Sequence, residues 1–325
     1  MSKPSLGVIF HPAFLPETLA DYARRAEAAG FDELWLWDDC FQPGALTSAT
    51  VALAATQRLK VGIGIVPAPA YNPLFATMEI TTLARVFPGR FLPGFGHGVD
   101  SWMKQIGAAP PSSLKAIEET VDAVRRLLRG ESVTMAGSYV RLDNVQMMTV
   151  PSAVPLLYVG AMREKTLQLA GRVGDGTILT DMSSPAYVRW ARTHVDRGMA
   201  ESGSKANRVV VYCLAKVTPD GKAAREAIRP LLASHLHWAS PQLSALGIVD
   251  EVQSMIGQYG ADDLAAHIPE AWIDVLCAAG TPEQVAASIK GLADAGADSV
   301  VLQPVDGDPG CLDEYIRYLM PVLRG

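Results

Sequence analysis

Cysteine is scarce in this chain of 325 residues, with one each at Cys40, Cys213, Cys277 and Cys311 and no C-x-x-C pair. That spacing offers no thiol cluster for structural zinc and is typical of a reducing compartment. Two kinds of apolar segment are also missing. No window approaches the roughly 20 apolar residues of a membrane helix, and no charged segment precedes an apolar stretch of signal-peptide length. We therefore expect a cytoplasmic protein without a membrane partner.

Excess positive charge is absent as well. The chain has 28 Lys and Arg against 34 Asp and Glu, a net charge of −6, and no basic run that could follow a phosphate backbone. We therefore expect no nucleic-acid partner. The six histidines form no H-x-x-x-H or carboxylate grouping, so no metal site is predicted. Hydrophobic residues make up 49% of the chain, which is enough for a large core.

Short apolar runs alternate with amphipathic helical patterns along the whole chain. A β-strand is predicted at each of residues 6–10, 33–37, 60–65, 90–95, 155–159, 176–179, 208–217 and 299–302. A helix is predicted at each of residues 17–29, 45–56, 74–86, 114–128, 165–173, 185–199, 282–296 and 312–323. Thr281, Pro282 and Gln284 predict a capping box at the start of the seventh of these helices.

Eight strand-helix units without a break in composition predict an α/β fold, a single (β/α)8 TIM barrel over residues 1–325. Two segments fall outside the repeat. Residues 132–148 alternate as a hairpin does, and residues 222–274 form a helical excursion. The alternative is a doubly wound open sheet. It is disfavoured because the first strand ends in Phe10-His11-Pro12-Ala13 rather than in a G-x-G-x-x-G fingerprint.

The sites of such barrels form at the carboxyl ends of the strands, and the fourth strand ends unusually. Its loop alternates Gly94, Gly96 and Gly98 with other residues and carries His97. Glycine permits close approach to a flat ligand, and histidine titrates near neutral pH. This loop is therefore a candidate for the edge of an active site, with an ordinary glycine-rich turn as the alternative.

Three other strand ends are chemically distinctive. The second ends in Asp38-Asp39-Cys40, whose carboxylates are either an acid-base pair or caps of the next turn, with Cys40 a small apolar filler. The third, residues 61–69, contains interior glycines that indicate distorted backbone or close ligand approach. The fifth, residues 159–166, opens a helix with small residues and two cations. It is either a phosphate-binding turn or a plain tight turn.

Taken in order, these pieces resemble the luciferase-like oxidoreductase family, especially its members that use the deazaflavin coenzyme F420. The matching pieces are residues 29–39, 61–69 with 72–73, 94–103 with 105–107, 157–166 with 170–171, 175–176 and 279–282. The resemblance covers nearly the whole chain. It implies a barrel, a hydride-transfer enzyme acting on a small molecule, and a homodimer.

The chain departs from the family at two of these ends. The second strand of family members often ends in Asp-His, where this chain has Asp38-Asp39. Sugar-phosphate members carry an acidic residue at the position that matches His97. The acid and the imidazole have therefore exchanged strands here, which puts a sugar-phosphate substrate in doubt. The resemblance also implies a cis peptide bond between Gly64 and Ile65.

His97 and Asp39 are the predicted catalytic residues, handling protons beside the cofactor ring. The predicted cofactor-binding residues are Asp38, Gly64, Ile65, Gly94, Phe95, Gly96, Val159, Gly160, Ala161, Met162, Arg163, Lys165 and Thr180. F420 is the expected cofactor. The alternatives are an FMN-dependent monooxygenase of the same superfamily and a non-catalytic or cofactor-free barrel. His235, His237 and Trp238, in the helical excursion, are interpreted as a solvated helix face.

Overall fold

The computed structural model describes residues 3–305 and 307–324, with the side chains of residues 261 and 262 left out. Its strands are β1 (Ser5–Ile9), β2 (Glu33–Leu36), β3 (Lys60–Pro67), β4 (Phe91–Gly96), β5 (Val133–Ala136), β6 (Arg141–Val145), β7 (Tyr158–Gly160), β8 (Gly176–Leu179), β9 (Arg208–Val217), β10 (Ala278–Gly280) and β11 (Ser299–Pro304). Strands β1, β2, β3, β4, β7, β8, β9 and β11 pair in parallel in that order, and β11 returns to β1. The predicted closed barrel of eight parallel strands is confirmed.

The helices follow the strands around the outside of the barrel. They are α1 (Leu19–Ala29), α2 (Ala45–Ala55), α3 (Pro73–Val86), α4 (Asp100–Gln105), α5 (Ser113–Leu128), α6 (Glu164–Val173), α7 (Pro185–Ser202), α8 (Gly221–His235), α9 (Ser240–Leu246), α10 (Val249–His267), α11 (Glu270–Leu276), α12 (Pro282–Asp294), α13 (Cys311–Glu314) and α14 (Met320–Arg324). A π-helical segment, Tyr315–Leu319, joins the last two, and short 3₁₀ turns lie at Pro16–Thr18 and Ala68–Ala70. None of the helices in the described part of the chain is long and apolar enough to cross a membrane.

Local signals in the sequence explain where several helices begin and end. The predicted capping box of α12 is present, with the Thr281 side chain accepting from the Gln284 N–H and the Gln284 side chain accepting from the Thr281 N–H. Ser184 caps α7 and Asp220 caps α8 in the same way, with side-chain oxygens that accept from the first turn. Gly30 ends α1 in the left-handed conformation with φ 85°.

The segments outside the repeat take the shapes that their patterns indicate, with some additions. β5 and β6 form an antiparallel pair that packs its apolar face on α5. Residues 221–276 divide into four helices, α8 to α11, with an apolar cluster of their own. Two elements were not predicted. α4 follows β4, and β10 pairs beside the end of β9.

The barrel interior contains a small apolar cluster that is sealed at its amino-terminal end by a polar network. The interior side chains are Ile9, Trp35, Leu92, Tyr158, Ile178, Val210, Tyr212 and Val301. At the amino-terminal end, fully buried Glu33 accepts from Trp35 Nε1 and Ser299 Oγ, both at 2.8 Å, and pairs with Arg208. With this end closed, access to the interior is from the carboxyl end.

Candidate active site

A cavity of about 710 Å³ opens at the carboxyl end of the barrel strands. It is lined mostly by apolar atoms from the ends of β2, β3, β4, β7, β8, β9 and β11 and from the end of α8. The size is within the range of small-molecule and cofactor sites, about 300–1,000 Å³. Of the predicted site residues, it brings together Asp38, Asp39, Gly64, Ile65, Gly96, His97, Gly160, Ala161, Met162 and Thr180.

One wall of the cavity is made by Ile65 set between two glycines. A Cβ on Gly96 would lie 2.6 Å from Ile65 Cγ1, and a Cβ on Gly160 would lie 2.6 Å from Ile65 Cγ2. Both glycines are therefore required for close packing around this side chain. The Gly64–Ile65 bond is cis, as expected, and the register between β3 and β4 shifts between Ile63 and Val66. The strand also runs on to Pro67, past its predicted end at residue 65.

Asp38 performs the capping role that was weighed as the alternative to chemistry. Its Oδ1 accepts from the backbone N–H of Ala45, the first residue of α2, at 2.9 Å. Its Oδ2 accepts from the hydroxyl of Tyr71 at 2.7 Å. Burial, followed by this hydrogen bond to Asp38, raises the pKa of Tyr71. Asp38 therefore lines the cavity with both carboxylate oxygens already in use.

Asp39 differs from its neighbour in its hydrogen bonding. Its side chain is half-buried on the cavity wall, and its carboxylate makes no hydrogen bond within the described residues. Burial raises the pKa of Asp39, and the adjacent charge of Asp38 raises it further. A carboxyl group with a raised pKa in a cavity is suited to general acid catalysis.

His97 lies across the cavity, where it contacts the beginning of α6. Its Nε2 is 3.1 Å from Thr166 Oγ1. Burial lowers the pKa of His97, and the positive charge of Arg163 lowers it further, against an opposing contribution from the backbone of Ser113. The imidazole is therefore neutral at neutral pH, with one nitrogen able to donate a hydrogen bond and the other able to accept one.

The turn from β7 into α6 carries the predicted phosphate-binding residues. Gly160 and Ala161 line the cavity, and the Ala161 N–H donates to the Ile178 carbonyl at 2.9 Å. Arg163 is the extended residue that precedes α6, and both Arg163 and Lys165 are exposed outside the cavity lining. The first N–H groups of a helix have no intrahelical partner, so an anion at this rim would meet them together with two cations.

Besides Arg163 and Lys165, three further predicted residues lie outside the cavity lining. Gly94 is inside the barrel, where a Cβ would lie 2.5 Å from the Ile63 carbonyl oxygen and 2.8 Å from Ile178 Cδ1. The side chains of Phe95 and Val159 point outward and pack in the core between strands and helices. Phe95 and Val159 therefore support the site through packing.

A polar cluster that sequence reasoning missed lies on the cavity wall just after Thr180. Asp181 follows β8, and its Oδ2 is 2.9 Å from His235 Nδ1 of α8. Gln303 of β11 donates to the same oxygen at 2.9 Å. The interpretation of His235, His237 and Trp238 as a solvated helix face is wrong for His235, which is partly buried in the cavity lining. His237 and Trp238 are exposed, and Trp238 also borders the cavity. No local motif marks these contacts, because they join residues 54 to 122 positions apart.

Comparisons with known proteins agree with the barrel. The sequence profile described as luciferase-like monooxygenase matches residues 9–299. The 5,10-methylenetetrahydromethanopterin reductase of Archaeoglobus fulgidus is 27% identical over 308 residues, covering 91% of this chain and 92% of that protein. The F420-dependent glucose-6-phosphate dehydrogenase of Kineococcus radiotolerans is 27% identical over 326 residues, covering 96% and 94%. The solved coenzyme F420-dependent tetrahydromethanopterin reductase of Methanopyrus kandleri has the same fold, with TM-score 0.86, 22% identity and coverage of 99% and 100%.

Proposed function

Because the chain belongs to the luciferase-like monooxygenase family, we propose that it is an F420-dependent oxidoreductase that transfers a hydride between the deazaflavin and a small organic substrate. The observation that carries the proposal is the agreement between the F420-dependent relative, matched over 96% of this chain, and a cavity whose volume lies within the range of cofactor sites. Coenzyme F420, when bound, supplies a ring carbon that accepts or gives a hydride.

The cavity wall fits a flat ring system. Ile65 presents a branched apolar side chain, and Gly96 and Gly160 on either side of it carry no side chain that would project toward a ligand. We assign Gly64, Ile65, Gly96, Gly160, Ala161, Met162 and Thr180 to contact with the cofactor. Gly94, Phe95 and Val159 support these contacts from behind. Asp38 lines the cavity and supports the wall through its hydrogen bonds to Ala45 and Tyr71.

The rim at the start of α6 fits the phosphate of the cofactor. Arg163 and Lys165 supply positive charge there, and the helix has its positive dipole end at the same place. Thr166, in the first turn, holds His97 by the 3.1 Å contact. The same turn therefore positions the histidine and forms the anion-binding rim.

Asp39 and His97 are proposed to handle the proton that accompanies the hydride. Reduction of a carbonyl or imine consumes one hydride and one proton, and oxidation of an alcohol releases both. Asp39 keeps its proton to higher pH than an exposed aspartate and acts as the acid in reduction. In oxidation the Asp39 carboxylate takes that proton back, because a step and its reverse use the same group. Neutral His97 assists this proton transfer by donating a hydrogen bond to the reacting atom or accepting one from it.

Titration of the purified protein with F420, and separately with FMN, tests this function. Saturable binding of F420 that is tighter than binding of FMN is the expected result. Micromolar binding of FMN with no detectable F420 binding would reject it in favour of an FMN-dependent monooxygenase, the activity for which the family is described. That alternative also predicts bound yellow flavin and oxygen consumption. Binding of neither would favour a non-catalytic barrel.

We further propose that the enzyme is cytoplasmic and forms a homodimer. Cys40, Cys213 and Cys277 are free thiols in the part of the chain that the structure describes, as is typical of a reducing compartment. Apolar side chains are exposed on α2 and α3, among them Val51, Phe75, Met78 and Val86. A protein-protein interface would cover them. Light scattering behind size exclusion should give twice the 34.7 kDa chain mass, and a monomer would reject the dimer.

A further inference from the structure

The polar cluster that follows Thr180 on the cavity wall centres on the carboxylate of Asp181, which two other elements contact. The Asp181 side chain is 6% exposed, and it lines the cavity. Its Oδ2 lies 2.9 Å from His235 Nδ1 and accepts from Gln303 Nε2 at 2.9 Å. His235 in turn packs against Trp238, with 5.1 Å between ring centroids. One oxygen of the carboxylate is therefore hydrogen-bonded from β11, and it contacts the His235 ring of α8, whose Nδ1 makes no hydrogen bond within the described residues.

The other oxygen of this carboxylate is left without a partner. Asp181 Oδ1 is buried and makes no hydrogen bond to any residue that the structure describes. The neighbouring Gln242 is fully buried, donates from Nε2 to Thr180 Oγ1 at 2.9 Å, and leaves its own Oε1 without a partner within the same described residues. Buried polar atoms are almost always paired, and a carboxylate oxygen only accepts. The missing partner is therefore a hydrogen-bond donor.

The charged residues of the cavity indicate which chemical groups that partner can carry. Its described lining contains the carboxylates Asp38, Asp39 and Asp181, and neither lysine nor arginine. Phosphate and carboxylate ligands are recognised by arginine, lysine or helix amino termini. The cations nearest the cavity, Arg163 and Lys165, are at the rim assigned to the cofactor. A phosphate placed in the cavity beside Asp181 would meet like charge.

We propose that Asp181, positioned by His235 and Gln303, is the substrate-recognition residue of this cavity and binds a hydroxyl or N–H group of a substrate that carries no phosphate or carboxylate. The inference rests on the proposed function, which places the cofactor against Ile65, Gly96 and Gly160 and leaves Asp181 for the substrate. The proposed substrate differs from glucose 6-phosphate, for which one relative is named, because it carries no phosphate. His235 and Gln303 are positioning residues, because each acts through Asp181 Oδ2.

Binding of four cyclohexyl compounds, measured by NMR titration with and without F420, tests the site. Cyclohexanol supplies a hydroxyl donor, N-cyclohexylacetamide an N–H donor, cyclohexyl methyl ether no donor, and cyclohexyl phosphate an anion. We expect at least one donor compound to bind about tenfold or more tightly than the ether, and the phosphate to show no saturable binding. If the ether binds within threefold of both donors, if neither donor binds, or if the phosphate binds most tightly, the proposal is wrong.

Asp181→Asn tests the assigned residue, because the amide keeps the shape of the side chain and removes its charge. The preference for donor over ether should fall below threefold in this variant and stay unchanged in Asp143→Asn, an exposed control on β6. An unchanged preference in a folded Asp181→Asn protein rejects the assignment. If that variant does not fold, the comparison of compounds on the unaltered protein still decides the question.

Fluorescence titration of F420 separates this proposal from the proposed function. Loss of F420 binding with the donor preference intact would reject the function and leave the recognition site standing. Normal F420 binding without a donor preference would reject the recognition site and leave the proposed function standing. The Kd for F420 in Asp181→Asn should change by less than threefold, because Asp181 is not among the residues assigned to contact with the cofactor.

Discussion

Adding a single methyl group at Gly96 should push Ile65 into the cavity. The new Cβ would lie 2.6 Å from Ile65 Cγ1, about 0.8 Å short of the 3.4 Å at which ordinary contact begins. Ile65 cannot retreat in the opposite direction, because Gly160 already packs against its other branch. Overpacking of this kind typically costs about 1–3 kcal/mol. If the displaced side chain occupies the cofactor position, Gly96→Ala should weaken F420 binding by about 5-fold to about 150-fold.

The control for this prediction is Gly44→Ala. Gly44 also lies near the mouth, has φ −63° and ψ 132°, and has nothing within 4 Å of an added Cβ. It should bind F420 as the unaltered protein does. A compensating variant, Gly96→Ala with Ile65→Ala, removes the clashing atoms and leaves the new Cβ 3.2 Å from Ile65 Cβ. It should recover part of the lost affinity.

Equilibrium titration of F420 fluorescence, with thermal melts of all four proteins, measures these effects. The reasoning is refuted if Gly96→Ala and Gly44→Ala have the same Kd for F420. It is also refuted if Gly96→Ala loses affinity for F420 and the compensating variant recovers none of that affinity. A fall in melting temperature without any change in Kd would show that Ile65 moves without reaching the cofactor.

Three further changes test the catalytic residues and the base of the barrel. Asp39→Asn should lower turnover by about 10²–10⁴-fold. The pKa of Asp39 is raised in the folded protein, so ionisation of Asp39 lowers the stability of the parent as the pH rises through that pKa. Asp39→Asn should therefore have a higher melting temperature than the parent at pH 7 and the same melting temperature at pH 3. A lower melting temperature than the parent at pH 7 would contradict the raised pKa. His97→Ala should lower turnover far more than F420 affinity, and unchanged turnover across pH 5–9 would remove the residue from the mechanism. Glu33→Gln should lower the free energy of unfolding, measured by urea denaturation, by about 3–5 kcal/mol, because it breaks a buried ion pair with Arg208. The control Asp294→Asn, in an exposed pair with Lys290, should change this free energy by less than about 1 kcal/mol.

The sequence by itself determined the barrel and much of its mouth. Parallel strands buried on both faces have to be continuously apolar, and residues 208–217 and 299–302 show that pattern at the positions of β9 and β11. Helix signals such as Thr281-Pro282-Glu283-Gln284 act within one turn, so they are legible without a fold. The carboxyl ends of barrel strands meet at one face, and for that reason Asp39, Gly64 and His97 could be placed together from the order of the strands alone.

Only the tertiary structure decided which side chain at each strand end is available for chemistry. Asp38 and Asp39 are adjacent and identical in kind, yet Asp38 is occupied by Ala45 and Tyr71 while Asp39 is not. The tertiary structure also sets the direction in which each side chain points. Phe95 faces the helices, while its neighbour Gly96 borders the cavity.

The polar cluster around Asp181 is the clearest case of an arrangement that sequence patterns do not predict. Asp181, His235 and Gln303 come from a strand end, a helix end and another strand, and they meet because the barrel closes and α8 packs over its mouth. Hydrogen bonds between residues far apart in the chain depend on that closure to within a few tenths of an ångström. Hydrophobic periodicity specifies which face of an element is buried, and it leaves the polar contacts at the ends of the elements to be set by the packing of the whole.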